Sequence, residues 1–334
     1  PPRSTLFPYT TLFRSQFEIL EACGEGGGDL ATFYDTPAAE TFTAAAARAT
    51  LTDGAYDGER IGGASYGNAA NGFRYVYANS TAGGVDCALF QGSEANEIFT
   101  AYPHYAALTP SAGQGTPYYH RANAFESVVA RSGGGNDSAV YYDRDSSVKD
   151  IFESHPNADP LQSYSQMRAV DGAYSNTGYG FRDAYATSRF HGVGRGVDEA
   201  WLYGMAGIDD ALSVTEISAL DGRGLVDARL QGTSHGRRVY LAQATDFENV
   251  RSLGTRETND TASLVDSVFD DLLEDRSENY RDAWLTLSGI TLDYLVELTG
   301  FRARVNSPAS QNDYDCDRRL GVYANVILEG RWES

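Results

Sequence analysis

Along this chain apolar and small residues fall at every second position within short windows, and the windows themselves recur. With Asp29, Asp86, Asp137, Asp198 and Asp260 as origins, spaced by 57, 51, 61 and 62 residues, an alanine follows two places on in every copy (Ala31, Ala88, Ala139, Ala200, Ala262). Four places on stands a large apolar or aromatic residue (Phe33, Phe90, Tyr141, Leu202, Leu264), and six places on an Asp or Gly (Asp35, Gly92, Asp143, Gly204, Asp266). An acid comes eleven places on as Glu40, Glu97, Asp209 and Asp271, and two places later in the third copy as Asp150. Side chains in a strand alternate faces, so this spacing predicts a short strand opened by Asp, with the Ala and large apolar positions facing a core. The position between the last two (Tyr34, Gln91, Tyr142, Tyr203, Val265) then faces outward.

Two further blocks complete the unit. Phe42, Phe99 and Phe152 are each followed nine residues on by Leu51, Leu108 and Leu161. A third block, Phe-x-x-apolar-x-small, reads Phe73/Val76/Ala78, Phe125/Val128/Ala130, Phe181/Ala184/Ala186 and Phe247/Val250/Ser252. Gly-Gly pairs before the Asp (Gly27-Gly28, Gly83-Gly84, Gly134-Gly135) supply turns. A period of this length marks a repeat architecture. The pattern predicts an all-β fold, a parallel β-solenoid (β-helix) of about five repeats in which the Asp-led strands stack on one another. A β-propeller, with about four strands in a unit of this size, is the alternative. Leu264, Val265, Val268, Leu272 and Leu273, then Leu292, Leu295 and Val296, leave room for one or two helices.

Residues 5–15 match the translation of a sequencing-library adapter and are set aside, as residues 1–15, from fold reasoning. The third block reappears at Phe17, Leu20 and Ala22, twelve residues before Asp29, so the array is expected to continue N-terminally in the natural protein. The expected organisation is a repeat array over 16–263, with repeats starting near 29, 86, 137 and 198, and a degenerate last repeat or cap over 264–334.

Composition narrows the function. A net charge of −20 disfavours nucleic acid, whose phosphates need Lys and Arg; here Lys149 is the one lysine. No run of eighteen apolar residues spans a membrane. Cys23, Cys87 and Cys316 form neither a CxxC pair nor an even-numbered framework. His104, His120, His155, His191 and His235 occupy different repeat positions and carry no metalloprotease or nucleophile spacing. Asp143-Arg-Asp145 and Asp313-Tyr-Asp315-Cys-Asp317 offer alternating oxygen ligands, but Val148 and Ser154, then Arg318 and Ala324, stand where an EF-hand needs Gly and Glu.

The pattern Gly-Gly-x-Asp-x-Ala-x-Φ-Tyr-Asp, with a later Gly-Phe-x-x-Val-x-Ala, resembles repeats of very large bacterial surface and secreted proteins, loosely similar to the haemolysin-type calcium-binding group. That resemblance covers residues 16 to about 262 and implies an extracellular or cell-surface setting, adhesion and calcium. The calcium-binding nonapeptide reads Gly-Gly-x-Gly-x-Asp, whereas this chain has Asp at the second Gly, so its ligands do not transfer position for position. From the residues themselves, the candidate metal ligands are Asp29, Asp35, Asp86, Asp137, Asp143, Asp198, Asp260 and Asp266, with Ca²⁺ as the ion. The competing reading of each Asp is a cap on its own turn. The tyrosines Tyr34, Tyr75, Tyr77, Tyr118, Tyr119, Tyr142 and Tyr203 could stack on a sugar or a partner surface, or simply shield strands. The expected function is a non-enzymatic structural or adhesive segment, calcium-stabilised, whose partner is a polysaccharide or another surface protein. The alternative is a fragment of a β-helical polysaccharide-acting enzyme.

Overall fold

The computed structural model describes residues 9–11, 19–24, 28–53, 67–144, 147–188, 197–220, 223–255, 260–265, 271–275, 284–289, 295–299, 301–306, 314–315 and 326–329. All regular structure among them is β-strand. After β1 (Tyr9–Thr11) and β2 (Ile19–Cys23), the first repeat contributes β3 (Leu30–Tyr34), β4 (Thr41–Ala45), β5 (Arg48–Thr52), β6 (Gly67–Asn71) and β7 (Tyr75–Asn79). The second contributes β8 (Cys87–Gln91), β9 (Glu97–Tyr102), β10 (Tyr105–Pro110), β11 (Tyr119–Asn123) and β12 (Ser127–Arg131). The third holds β13 (Ser138–Tyr142), β14 (Asp150–His155), β15 (Tyr164–Ala169), β16 (Ser175–Tyr179) and β17 (Asp183–Thr187). The fourth holds β18 (Glu199–Tyr203), β19 (Asp209–Leu220), β20 (Arg223–Ser234), β21 (Arg237–Phe247) and β22 (Asn249–Leu253). Five more follow in the same order, β23 (Thr261–Val265), β24 (Asp271–Asp275), β25 (Trp284–Gly289), β26 (Leu295–Thr299) and β27 (Arg302–Asn306), then β28 (Tyr314–Asp315) and β29 (Val326–Glu329). The helices expected after residue 264 are absent from the described residues there, which form strands instead.

The chain divides into two compact units, residues 1–140 with 172–181, and residues 141–171 with 182–334. In the first, one sheet runs β1-β3-β7-β11-β10-β9 and the other β2-β6-β5-β4-β8-β12-β16. Strands of neighbouring repeats pair in parallel, as β4 with β8 and β7 with β11, while the middle three strands of each repeat form an antiparallel meander. In the second unit the orders are β17-β21-β20-β19-β23-β27-β29 and β15-β14-β18-β22-β26-β25-β24-β28, with the same division of parallel and antiparallel pairs. This is an all-β repeat fold of the β-solenoid type. Parallel pairing from repeat to repeat is not the pairing of propeller blades, which are separate antiparallel sheets.

One expectation is corrected. Asp-led strands of successive repeats do not lie on one another: β3 pairs with β1 and β7, whereas β8 sits in the other sheet between β4 and β12. Each of the first four repeats crosses between sheets three times, once after its Asp-led strand, once around its third-block Phe, and once between its last strand and the next Asp-led strand. Three is odd, so the next repeat starts in the opposite sheet.

The faces follow the predicted register. Ala31, Phe33, Ala88, Phe90, Ala139, Tyr141, Ala200, Leu202, Ala262 and Leu264 are all buried. In the first unit Phe42 meets Phe33, Phe90 and Phe125 at ring-centroid distances of 6.0, 6.0 and 6.1 Å, placing the core between the two sheets. In the second, Phe152 packs on Tyr141 at 5.7 Å and on Phe247 at 6.4 Å. Each such ring contributes roughly 1.5–3 kcal/mol on burial.

Candidate cation-binding junctions

Between a repeat's Asp-led strand and the strand after it the chain must cross from sheet to sheet, and the next repeat's Asp arrives at the same place. There the backbone N–H of the acid that precedes the crossing strand donates to Oδ1 of the next repeat's Asp: Glu40 to Asp86 at 2.7 Å, Glu97 to Asp137 at 2.6 Å, Asp150 to Asp198 at 2.8 Å, and Asp210 to Asp260 at 3.0 Å. Oδ2 of the same Asp accepts a hydroxyl from the end of its own preceding strand: Ser80, Ser132, Ser188 and Thr255. The partner amide lies 40 to 50 residues away, so these aspartates fasten one repeat to the next while also closing their own turns, where the Thr255 amide donates to Asp260 Oδ2 at 2.8 Å. Asp210, not the exposed Asp209, fills the role in the fourth repeat.

The junctions come in two kinds. At the first and third, an Asp stands six places after the repeat's opening Asp. Carboxylate oxygens of Asp35, Glu40 and Asp86 lie within 4.8 Å of one another, as do those of Asp143, Asp150 and Asp198. Of these six only Asp35 is more than slightly exposed. The Thr36 amide and hydroxyl both hold Glu40 Oε1, and the Ala82 amide holds Asp35 Oδ2 at 2.8 Å. Ser188 Oγ bridges Asp143 and Asp198 at 2.9 and 3.0 Å, and the Arg144 amide donates to Asp150 Oδ2 at 2.9 Å. The Arg144 guanidinium reaches Asp150 only at 3.9 Å.

At the second and fourth junctions Gly92 and Gly204 replace that Asp, and a tyrosine enters. Tyr118 Oη donates to Glu97 Oε1 at 3.2 Å, and Tyr240 Oη to Asp210 Oδ1 at 2.8 Å. A Cβ on Gly204 would lie 2.2 Å from Asp210 Oδ2, and one on Gly92 3.0 Å from Glu97 Oε2. The glycine is therefore the space into which the carboxylate folds.

Burying negative charge raises proton affinity. Burial pushes Asp198 up to about 8 against the opposing bond from the Asp150 amide, and the charges of Asp143 and Glu248 add to the rise. Burial likewise raises Asp210 to about 7 and Asp137 to about 6; nearby Asp260 and Glu97 contribute respectively. Tyr118 and Tyr240 are driven well above the phenol range, first by burial and then by the carboxylates they hold. Three close carboxylate oxygens beside hydroxyl oxygens are the donor type a hard divalent cation takes, although backbone N–H groups already occupy part of each carboxylate.

The predicted ligands distribute as follows. Asp35 and Asp86 meet in the first group and Asp143 and Asp198 in the other. Asp137 and Asp260 sit at the glycine–tyrosine junctions. Asp29, half-buried at the start of β3, receives the Tyr75 amide on its carbonyl and belongs to neither group. Asp266 lies outside the described residues. Glu40 and Asp150 complete the two groups. They were visible as the acids eleven and thirteen places into their repeats, but only stacking of unlike positions brings them to the Asp residues.

No protein-family model matches this chain, and neither a curated protein nor a solved structure matches it.

Proposed function

We propose that this chain is a structural repeat segment of a large extracellular or cell-surface protein, in which divalent cations, Ca²⁺ foremost, tie repeats together at the two three-carboxylate junctions. The observation that carries this reading is recurrence: the same buried clasp of amide, carboxylate and hydroxyl forms at four successive junctions. Chemistry on a substrate is needed once and must be reached from solvent, whereas these acids recur and most are buried. Millimolar calcium outside cells suits sites of modest affinity built from such turns. The acidic surface keeps such a segment soluble and attracts cations.

Thermal melts at pH 8 with 2 mM calcium chloride and with chelator test the reading. Calcium is expected to raise the midpoint by several degrees, and Asp35→Asn combined with Asp143→Asn is expected to remove most of that rise. A midpoint that calcium leaves in place would overturn the cation, and a calcium response that persists undiminished in the double variant would misplace it.

A further inference from the structure

On one sheet of the first unit, β3, β7, β11, β10 and β9 place fifteen residues at the positions that alternate with the core ones, all but the buried Ala107 at least partly exposed, in the rows Tyr34–Asn79–Asn123–Tyr105–Tyr102, Thr32–Tyr77–Arg121–Ala107–Thr100 and Leu30–Tyr75–Tyr119–Thr109–Ile98. Six of the fifteen are tyrosine and none is acidic, in a chain with 46 Asp and Glu against 26 Lys and Arg. The face carries cations instead. The Arg121 guanidinium lies 4.0 Å from the Tyr105 ring centre, and that of Arg74, just before β7, lies 5.2 Å from the Tyr75 ring. Arg74 is exposed; its carbonyl accepts the Tyr119 amide at 2.8 Å, while its guanidinium faces no acidic partner among the described residues.

At one end of these rows the β10–β11 connection borders a half-open cavity of about 420 Å³, lined by Arg74, Tyr75, Tyr119, Thr109, Ser111 and Gln114 among others. No residue lining it is acidic. Glu97 lies buried behind Tyr118, whose hydroxyl it holds. Tyr75 and Tyr119 are direct partners across a parallel pair, and Tyr77 meets Tyr119 edge-on at 6.0 Å, so ring surface continues from the cavity onto the open sheet.

We propose that this cavity and the tyrosine rows beside it bind an acidic glycan, a chain of sugars bearing carboxylates. The site offers aromatic surface for C–H faces, hydroxyl and amide groups for sugar hydroxyls, and a guanidinium that no acid pairs among the described residues for a carboxylate, which it can take bidentately. A volume of this size fits one or two sugar rings. An apolar peptide would find few aliphatic contacts here. The site is remote in chemistry from the carboxylate junctions and stands or falls independently of them.

The test is calorimetric titration of the full chain with a sodium oligogalacturonate at pH 6 in calcium-free buffer, since polyuronates take up calcium themselves. Comparison ligands are a neutral oligosaccharide of equal length and oligoglutamate of equal charge. Oligogalacturonate is expected to bind, at least tenfold tighter than either comparison ligand. Arg74→Gln and Tyr119→Ala should each weaken it about tenfold or more, while Arg131→Gln, on the other sheet, leaves it unchanged. Melting midpoints of the variants establish that each is folded, and Arg74→Gln, at an exposed position, keeps the test valid if Tyr119→Ala unfolds. Absence of binding at millimolar ligand, equal binding of oligoglutamate, or indifference to Arg74→Gln would overturn the proposal.

Discussion

Each junction aspartate uses its two oxygens for two places in the preceding repeat, Oδ1 for an amide 40 to 50 residues back and Oδ2 for a hydroxyl 5 to 10 residues back. Neither donor is charged, so ionisation in the buried state is opposed mainly by desolvation. Asp198 and Asp210 have folded values of about 8 and 7 against an ordinary value of 3.8. A carboxyl whose folded value is raised binds its proton more tightly when folded, so stability declines as pH climbs from the unfolded value through the folded one. His120, lowered to about 4 by burial, acts oppositely, losing stability only as pH falls below its ordinary 6.5. Between pH 6.5 and 8.5 the aspartates therefore dominate. Without calcium the melting midpoint is expected to fall across that window, and a flat or rising profile would contradict the buried-carboxylate account. Asp198→Asn keeps the acceptor for the Asp150 amide without the charge, and at pH 8.5 should flatten that fall. Asp198→Ala strands a buried amide and should cost about 1–3 kcal/mol.

At the scale of elements, strand positions were legible because a period of two survives in every copy: the Ala and large apolar positions point inward throughout. The stacking was not legible, because a strand's face pattern is identical in either sheet and says nothing about which neighbour it meets. The alternation of Asp35, Gly92, Asp143 and Gly204 was in plain view. It acquires meaning only once odd and even repeats are known to start in opposite sheets. Tyr118 stood out only as a candidate stacking residue and Tyr240 not at all, because both lie ahead of the third block in a stretch where spacing varies and no register marks them. The Gly-Gly turn was readable, and its two glycines are not equivalent. Both have positive φ, +103° at Gly83 and +110° at Gly84, but a Cβ on Gly84 would lie 2.2 Å from the Ala38 carbonyl oxygen, whereas one on Gly83 meets nothing within 4 Å. In urea denaturation Gly84→Ala should lose roughly 2 kcal/mol or more, and Gly83→Ala clearly less. Equal losses would mean that backbone conformation alone, not the closeness of the crossing turn to the neighbouring repeat, governs this site.

For the molecule as a whole, a repeat protein's stability resides largely in the interfaces between adjacent units. Here each interface combines a parallel strand pair with one carboxylate clasp, and the clasp joins unlike positions of successive repeats. Composition had pointed to an acidic, cation-attracting surface; most of the acids that organise the fold turn out to be inside it. Hydrogen exchange of four backbone amides tests this most directly, because Glu40, Glu97, Asp150 and Asp210 stand at the edges of turns and would exchange rapidly if their only protection were local. The clasp predicts that all four exchange as slowly as the mid-strand amides of Phe42, Phe99, Phe152 and Leu212; exchange at the rate of exposed turns such as Gly113 would contradict it.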